Sequence, residues 1–222
     1  MSVDQFIQFI ALAVIPILFA VTLHEAAHGY VARHFGDKTA ERAGRISLNP
    51  VHHIDPFGTV LLPILTMVMS SGSFIFGWAK PVPVNFGALR NPKSDMFWVA
   101  LAGPATNLAM ALCWAAIAKI TLYMQGNYFA PPLLDMAQIG IRINILLMVL
   151  NMLPVPPLDG GRVAVSLLPY RQAIALSRME PYGIFILIFM MIPLVNGASL
   201  LGLVLSPVIN VLTGLIYFIF GL

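Results

Sequence analysis

Charged residues are scarce in this sequence. Only 9% of the 222 residues are Asp, Glu, Lys or Arg, whereas a soluble domain carries about 25%. Hydrophobic residues make up 59%, and the mean hydropathy is +0.88. An ordinary soluble globular domain is therefore excluded. The apolar runs approach the roughly 20 residues that a membrane-spanning helix needs, so we expect an all-α integral membrane protein.

Cysteine is almost absent as well. Cys113 is the single cysteine, so no intrachain disulfide can stabilise the fold. The formal net charge is +3, but the basic residues are scattered between apolar runs and form no patch of the kind that binds nucleic acid. The first five residues lack the basic start of a signal peptide, and we expect the N-terminus to be retained.

Five apolar runs predict five transmembrane helices, at about 3–34, 94–123, 133–153, 180–195 and 199–220. The chain reads as a single membrane-embedded domain, 1–222.

Two further segments are apolar but unlike a spanning helix. Residues 58–70 are too few to cross a membrane and predict a re-entrant or interfacial segment. Residues 74–85 contain two prolines, Pro81 and Pro83, each followed by a valine, and predict an extended strand or hairpin at the membrane edge. Such a strand could pair with the backbone of another extended chain by strand addition; the alternative is a surface loop anchored by Trp78 and Lys80.

The basic residues predict the orientation. Ten of the twelve Lys and Arg residues, all except Lys119 and Arg142, follow the first run, precede the second or follow the third. The positive-inside rule places these segments in the cytoplasm. His24 is some 20 residues from the outer end of the first run, or about 30 Å along a helix. We therefore expect His24 to lie toward the cytoplasmic side of the membrane.

The first run contains H-E-x-x-H, at His24 to His28. Residues four apart share a helix face, so both imidazoles can bind one zinc ion. Glu25 can then act as a general base toward a water molecule. The alternative is a group of packed core residues, but ionisable residues in an apolar span are costly and usually functional.

A third zinc ligand is expected, and Asp159 is the candidate. It directly follows the run Pro154-Val155-Pro156-Pro157, which must end the third apolar run. The residue type and position also fit an N-cap of the next helix. From the residues alone, these two roles for Asp159 are equally open.

Several ordered motifs resemble the site-2 protease family, intramembrane zinc metalloproteases of M50 type. The resemblance covers about three quarters of the chain. Besides H-E-x-x-H, it includes the following elements: Asn49-Pro50 with His53-Ile54-Asp55-Pro56, Gly77 to Asn85, Gly103-Pro104-Ala105-Thr106-Asn107, and Asn151 through Pro154, Pro156 and Leu158 to Asp159-Gly160.

The resemblance implies a three-helix catalytic core, about 1–165, that binds one Zn²⁺ through His24, His28 and Asp159, with Glu25 as base. The last two helices, about 180–222, would then form a peripheral pair. It also places Asn107 and Asn151 near the metal, where they could bind substrate or simply link helices. The residues assigned to substrate binding are Asn107, Asn151, Pro154, Pro156, Val82 and Val84. No loop is long enough for the PDZ or CBS domains of larger relatives.

The implied function is hydrolysis of peptide bonds in or near transmembrane segments. Expected partners are transmembrane-segment substrates, the lipid bilayer, and an upstream protease or membrane regulator, but no nucleic acid; the expected location is a prokaryotic plasma membrane. Two alternatives remain: a zinc transporter, which requires a relay of further ligands, and a non-catalytic scaffold, which predicts loss of Glu25 or of a ligand.

Overall fold

The computed structural model describes residues 3–61, 65, 77–124, 126–195 and 198–222, and these are predominantly helical. In chain order the helices are α1 (Val3–His34), α2 (Thr39–Arg42), α3 (Pro92–Leu122), α4 (Ala130–Asn151), α5 (Asp159–Leu167), α6 (Tyr170–Ser177), α7 (Glu180–Met191) and α8 (Leu200–Phe220). Two short strands, β1 (Pro193–Val195) and β2 (Ala198–Ser199), pair antiparallel between α7 and α8.

Four of the helices are long and apolar enough to cross a membrane: α1, α3, α4 and α8. These correspond to four of the five predicted spans, so the prediction of a multi-pass helical membrane protein is confirmed. Among the described residues, α6 and α7, which meet at an angle of 63°, would give a fifth span if taken together.

The predicted straight span at 180–195 differs from the structure. Helix α7 has 12 residues and ends at Met191. Ile192 is extended, with φ −66° and ψ 129°, because the residue before a proline is disfavoured in helical geometry. Pro193 then begins β1. The hydropathy of the run correctly indicates a membrane segment, but Pro193 divides it.

Small residues hold the three central helices together. Helix α1 buries Ala13, Pro16 and Ala20, which recur at helical spacing on one face. Helices α3 and α4 bury the following residues toward the same centre: Ala100, Gly103, Pro104, Asn107, Ala111, Ala137, Gly140 and Asn144. Small side chains let helix backbones approach closely in a membrane, where van der Waals packing replaces the hydrophobic effect.

Helix α8 packs against this bundle. Its Ile216 lies in the same buried cluster as Trp114 of α3 and Ile141 of α4. The C-terminal helix therefore contributes to the packing of the bundle, and its expected peripheral role stays a prediction.

Between α1 and α3, the chain crosses the end of the bundle in short turns. A 3₁₀ turn at Pro50–His53 and a π-helical turn at Pro56–Leu61 come first. The predicted re-entrant segment, 58–70, falls mostly outside the described residues, as does 74–76 at the start of the predicted strand. The described remainder, 77–85, is assigned to no helix or strand; we call it the proline segment.

The proline segment is fixed at its end by Asp37, just after α1. This fully buried carboxylate accepts hydrogen bonds from Thr39 N (2.9 Å) and from Asn85 N (2.7 Å). Burial alone would raise the pKa of Asp37, but these hydrogen bonds and the charge of Arg42 lower it below its usual value. The anion thus joins the end of α1 to the proline segment.

Candidate metal centre

Three ligating side chains meet in the bundle: His24 and His28 of α1 and Asp159 of α5. The two Nε2 atoms are 3.1 Å apart. Asp159 Oδ2 lies 3.2 Å from His24 Nε2, and Oδ1 lies 3.4 Å from His28 Nε2. The histidines are one helical turn apart, which places them on the same face. Asp159, 135 positions after His24 in sequence, joins them only through the fold.

Hydrogen bonds to the other ring nitrogens orient both imidazoles. His24 Nδ1 is 2.6 Å from Asn107 Oδ1, and His28 Nδ1 is 2.7 Å from the Val99 carbonyl oxygen. A carbonyl oxygen can only accept, so each Nδ1 carries the proton in these bonds. Each neutral imidazole then presents the lone pair of Nε2 to the centre. This is the arrangement typical of metal-bound histidine.

The donor set fits zinc. Two nitrogen lone pairs and a carboxylate converge without a donor between them, and within the described chain the buried Asp159 Oδ2 has no hydrogen-bond partner. A cation resolves this repulsion. Tetrahedral zinc with ligand bonds of about 2.0–2.1 Å has ligand-to-ligand distances of about 3.3–3.4 Å. The observed 3.1–3.4 Å agrees with these distances.

Asp159 is placed by the turn between α4 and α5. Leu158 is the N-cap of α5 and Asp159 its first helical residue, so the N-cap alternative for Asp159 is wrong. A Cβ on Gly160 would overlap the backbone of Met152, and a Cβ on Gly161 that of Pro156. The two glycines therefore let the chain turn back tightly after α4. This turn brings the carboxylate to the histidines.

The carboxylate of Asp159 requires positive charge nearby. Its side chain is only 13% exposed, and burial alone would raise its pKa. In the metal-free protein, hydrogen bonds and positive charge from protonated His24 and His28 outweigh this effect and hold the pKa of Asp159 well below its usual range; a bound metal ion would replace those protons. The group is thus an anion when cationic neighbours compensate it, which is what a bound metal ion also supplies.

Glu25 contacts the proline segment. Its Oε2 accepts a hydrogen bond of 2.7 Å from the backbone N–H of Val82. Other inward contacts hold the segment nearby: Trp78 N donates to Gly58 O, and Lys80 N donates to His53 O, each at 3.0 Å. The backbone of the proline segment therefore positions the Glu25 carboxylate.

The two asparagines named from the sequence occupy different environments. Asn107 is fully buried, and its amide bonds His24, Ala20 O and Asn144. Asn151 ends α4, is half-buried, and makes no side-chain hydrogen bond within the part of the protein that the structure describes. Asn107 therefore supports a metal ligand, whereas the amide of Asn151 remains available to a substrate. Substrate binding by either one remains a prediction.

The other predicted substrate-binding residues are similarly divided. Val82 is buried, and Val84 packs half-buried against the cluster of Ala32, Leu89 and Val99. Pro154 is exposed, but Pro156 is buried. The valine side chains and Pro156 therefore serve packing in this structure. A substrate role for these four residues stays a prediction, and any such role of the valines would involve backbone.

Asn144 and Gly103 are important residues that the sequence analysis did not single out. Asn144 is fully buried beside Asn107. A Cβ on Gly103 would lie 2.5 Å from His24 Cε1 and 2.5 Å from His28 Nε2. A polar amide within an apolar run could have indicated Asn144. Gly103 stands in the motif Gly103-Pro104-Ala105-Thr106-Asn107, but nothing in that motif indicates that the glycine lies against both imidazoles.

Gly103→Ala is expected to weaken zinc binding by at least about tenfold, the lower range for changes that disturb ligand orientation. The added methyl group would displace both imidazole rings. Gly214→Ala is the matched control, because that glycine of α8 has open space around it. The measurement is zinc affinity by competition with a chelator. Equal affinity in the Gly103 variant and the wild type would contradict the described packing.

The sequence matches a known protein family and curated relatives. Residues 120–194 match Peptidase family M50. The chain is 37% identical to "Putative zinc metalloprotease YwhC" of Bacillus subtilis over 185 residues, which cover 79% of this chain and 78% of that protein. It is 30% identical to "Putative zinc metalloprotease Rip2" of Mycolicibacterium smegmatis over 176 residues, 79% of this chain and 64% of the relative. No solved structure matches. The chain belongs to Peptidase family M50, the site-2 protease family of zinc metalloproteases.

Proposed function

We propose that this protein hydrolyses peptide bonds in or beside the transmembrane segments of other membrane proteins. The observation that carries the proposal is the position of the metal centre. His24 and His28 are 7% and 8% exposed and lie on α1, a helix apolar enough to span a membrane. A substrate that is itself within the membrane can approach such a centre laterally, between the helices.

Glu25 supplies the proton transfers of this reaction. A bound zinc ion supplies Lewis-acid polarisation and leaves room for a fourth ligand beside three protein ligands. The Glu25 carboxylate takes the proton of the attacking water and passes it to the leaving amine nitrogen. The Val82 N–H holds one carboxylate oxygen, which leaves the other free to accept that proton.

We place the centre on the cytoplasmic side of a prokaryotic plasma membrane. His24 is about 32 Å along α1 from Val3 but only about 15 Å from its end at His34, at 1.5 Å per residue. The segments that follow this end carry Lys38, Arg42 and Arg45. The positive-inside rule favours the cytoplasm for such segments.

The proline segment suggests how an unwound substrate would bind. In an extended chain, alternate residues direct their N–H and C=O groups to opposite sides. The backbone N–H groups of Trp78, Lys80 and Val82 all donate hydrogen bonds to other parts of the protein. On the opposite side, Pro81 and Pro83 have no N–H. Arg45 donates to Pro81 O on that edge at 3.4 Å, so a substrate strand would bind mainly by donating its own N–H groups to the other carbonyl oxygens.

Val82→Pro is expected to lower kcat by about 10²-fold or more, within the range by which positioned bases contribute. The substitution removes the N–H that holds Glu25, while the zinc ligands are untouched. Val82→Ala keeps this N–H and is the matched control. The measurement is single-substrate kinetics with zinc quantified per chain. A Val82→Pro enzyme with normal kcat would show that this hydrogen bond is dispensable.

The experiment that tests the function is cleavage of a panel of tagged single-span proteins in liposomes, with mass spectrometry of the products. We expect cuts inside or next to the membrane segment, and faster cleavage of substrates whose outer domain has been removed, as trimming by an upstream protease would produce. Cuts confined to soluble loops, with equal rates for water-soluble peptides, would contradict the proposal.

A zinc transporter has less support. Transport requires a series of ligand groups along a path. His24, His28 and Asp159 form the one cluster of three or more candidate metal ligands within the described ranges. Glu25 and all three ligands are also present, contrary to what a non-catalytic scaffold predicts.

A further inference from the structure

We propose that Asn144 is a positioning residue for the metal centre, acting on His24 through Asn107. The inference rests on the metal site and not on the proteolytic function proposed above. It assigns to α4, which supplies no zinc ligand, a part in determining how tightly the metal binds.

The three side chains form a continuous hydrogen-bonded chain across three helices. His24 Nδ1 of α1 lies 2.6 Å from Asn107 Oδ1 of α3. Asn107 Nδ2 donates to Asn144 Oδ1 of α4 at 3.0 Å. Both asparagines are fully buried, so water does not substitute for these partners. A change at Asn144 can therefore reach His24 through a single intervening side chain.

Backbone carbonyls fix the direction of every bond in this chain. Asn107 Nδ2 also donates to the Ala20 carbonyl at 3.2 Å, and Asn144 Nδ2 donates to the Gly140 carbonyl at 2.8 Å. A carbonyl cannot donate, so neither amide can be reversed without opposing two oxygens. With both amides held this way, an oxygen faces His24 Nδ1. The imidazole must then keep its Nε2 lone pair directed at the metal.

Asn144 adds two effects to the single bond between Asn107 and His24. First, it is the second acceptor that fixes the orientation of the Asn107 amide. If that amide were reversed, Asn107 Oδ1 would face Asn144 Oδ1 as well as Ala20 O. Donation by the Asn107 amide also makes its oxygen a stronger acceptor, because hydrogen bonds in a chain polarise one another. Groups that orient zinc-bound histidines in this way commonly affect metal affinity by about 10–100-fold.

A purely structural role makes a different prediction. Asparagines also link helices within membranes, and in that case loss of Asn144 would lower the stability of the bundle without a specific effect on the metal. The two roles are separated by measuring metal affinity and stability on the same variants, and by asking whether the effect requires Asn107.

The test uses the full-length protein in detergent, stripped of metal and titrated with Co²⁺ by absorption and with Zn²⁺ by chelator competition. Asn144→Leu removes the amide at similar size, and Asn144→Ala serves if the leucine variant does not fold. Thr121→Val is the matched control, because it removes a buried hydroxyl that donates to Ile117 O at the other end of α3. Circular dichroism and thermal unfolding of each metal-free protein report the fold.

We expect Asn144→Leu to lower the affinity for Co²⁺ and for Zn²⁺ at least about tenfold. The Thr121→Val control should bind both metals with close to wild-type affinity. In an Asn107→Leu background, the Asn144 substitution is expected to have no further effect, since the connection to His24 is already broken. Unchanged metal affinity with lower thermal stability would overturn the proposal in favour of helix linkage. Additive losses in the double variant would overturn the route through Asn107. Neither result depends on cleavage, so failure of this inference and failure of the proposed protease activity are distinguishable.

Discussion

Glu25→Gln is expected to lower cleavage of a membrane substrate by about 10²–10⁴-fold, the usual contribution of a positioned acid or base, without loss of zinc. Glutamine is similar in size to glutamate, and its oxygen can still accept the hydrogen bond from Val82 N–H. It cannot accept the proton of the attacking water. The measurement is the initial cleavage rate in liposomes, normalised to zinc per chain.

Glu41→Gln is the matched control for this change. Glu41 lies on α2, and its half-exposed side chain pairs with Arg33 at 3.0 Å, away from the centre. Exposed ion pairs contribute little to stability, so the control should cleave at close to the wild-type rate. If Glu25→Gln cleaved the substrate at the wild-type rate, Glu25 would not be the base, whatever the control shows.

Asp159→Asn is expected to weaken zinc binding by more than about 100-fold, since changes to residues behind the ligands already cost about 10–100-fold. The amide keeps the shape of the carboxylate but removes its charge. Activity at limiting zinc should disappear with the metal. Zinc per purified chain and affinity by chelator competition measure the effect.

Asp135→Asn is the corresponding control, because Asp135 is an exposed residue near the start of α4. It should retain zinc. Full zinc affinity in Asp159→Asn would mean that another group completes the donor set, and the converging geometry of His24, His28 and Asp159 would need a different explanation.

Much of the fold could be predicted from hydropathy, because a bilayer imposes a minimum length on spanning helices. Helices α1, α3, α4 and α8 follow directly from their apolar runs. The segment 180–195 differs because one proline, Pro193, outweighs the hydropathy around it. Such a local effect is visible in the sequence, yet hydropathy averaged over a window conceals it.

The metal ligands could also be predicted, for two different reasons. His24 and His28 lie four residues apart, so helical geometry alone brings them together. Asp159 is distant in sequence, and the residues alone left its role open between ligand and N-cap. The resemblance to site-2 proteases favoured the ligand role, and the distances to both histidines support it.

Long-range contacts account for what the sequence analysis missed. The bond between Asn107 and His24 joins residues 83 positions apart, and that between Val82 and Glu25 joins residues 57 apart. No periodicity encodes such pairings. The bonds of Asn107 to His24 and of the Val82 N–H to Glu25 are therefore seen only in the fold, and the substrate-binding roles expected of Asn107 and of the backbone at Val82 stay predictions.

Removal and return of zinc test the central claim most directly. The protein in liposomes is treated with a chelator and then given back one equivalent of Zn²⁺, while cleavage of a single-span substrate is followed. The metal centre described here predicts that cleavage stops on chelation, returns at one zinc per chain, and does not return in Asp159→Asn. Undiminished cleavage by wild-type protein shown to be free of zinc would contradict it.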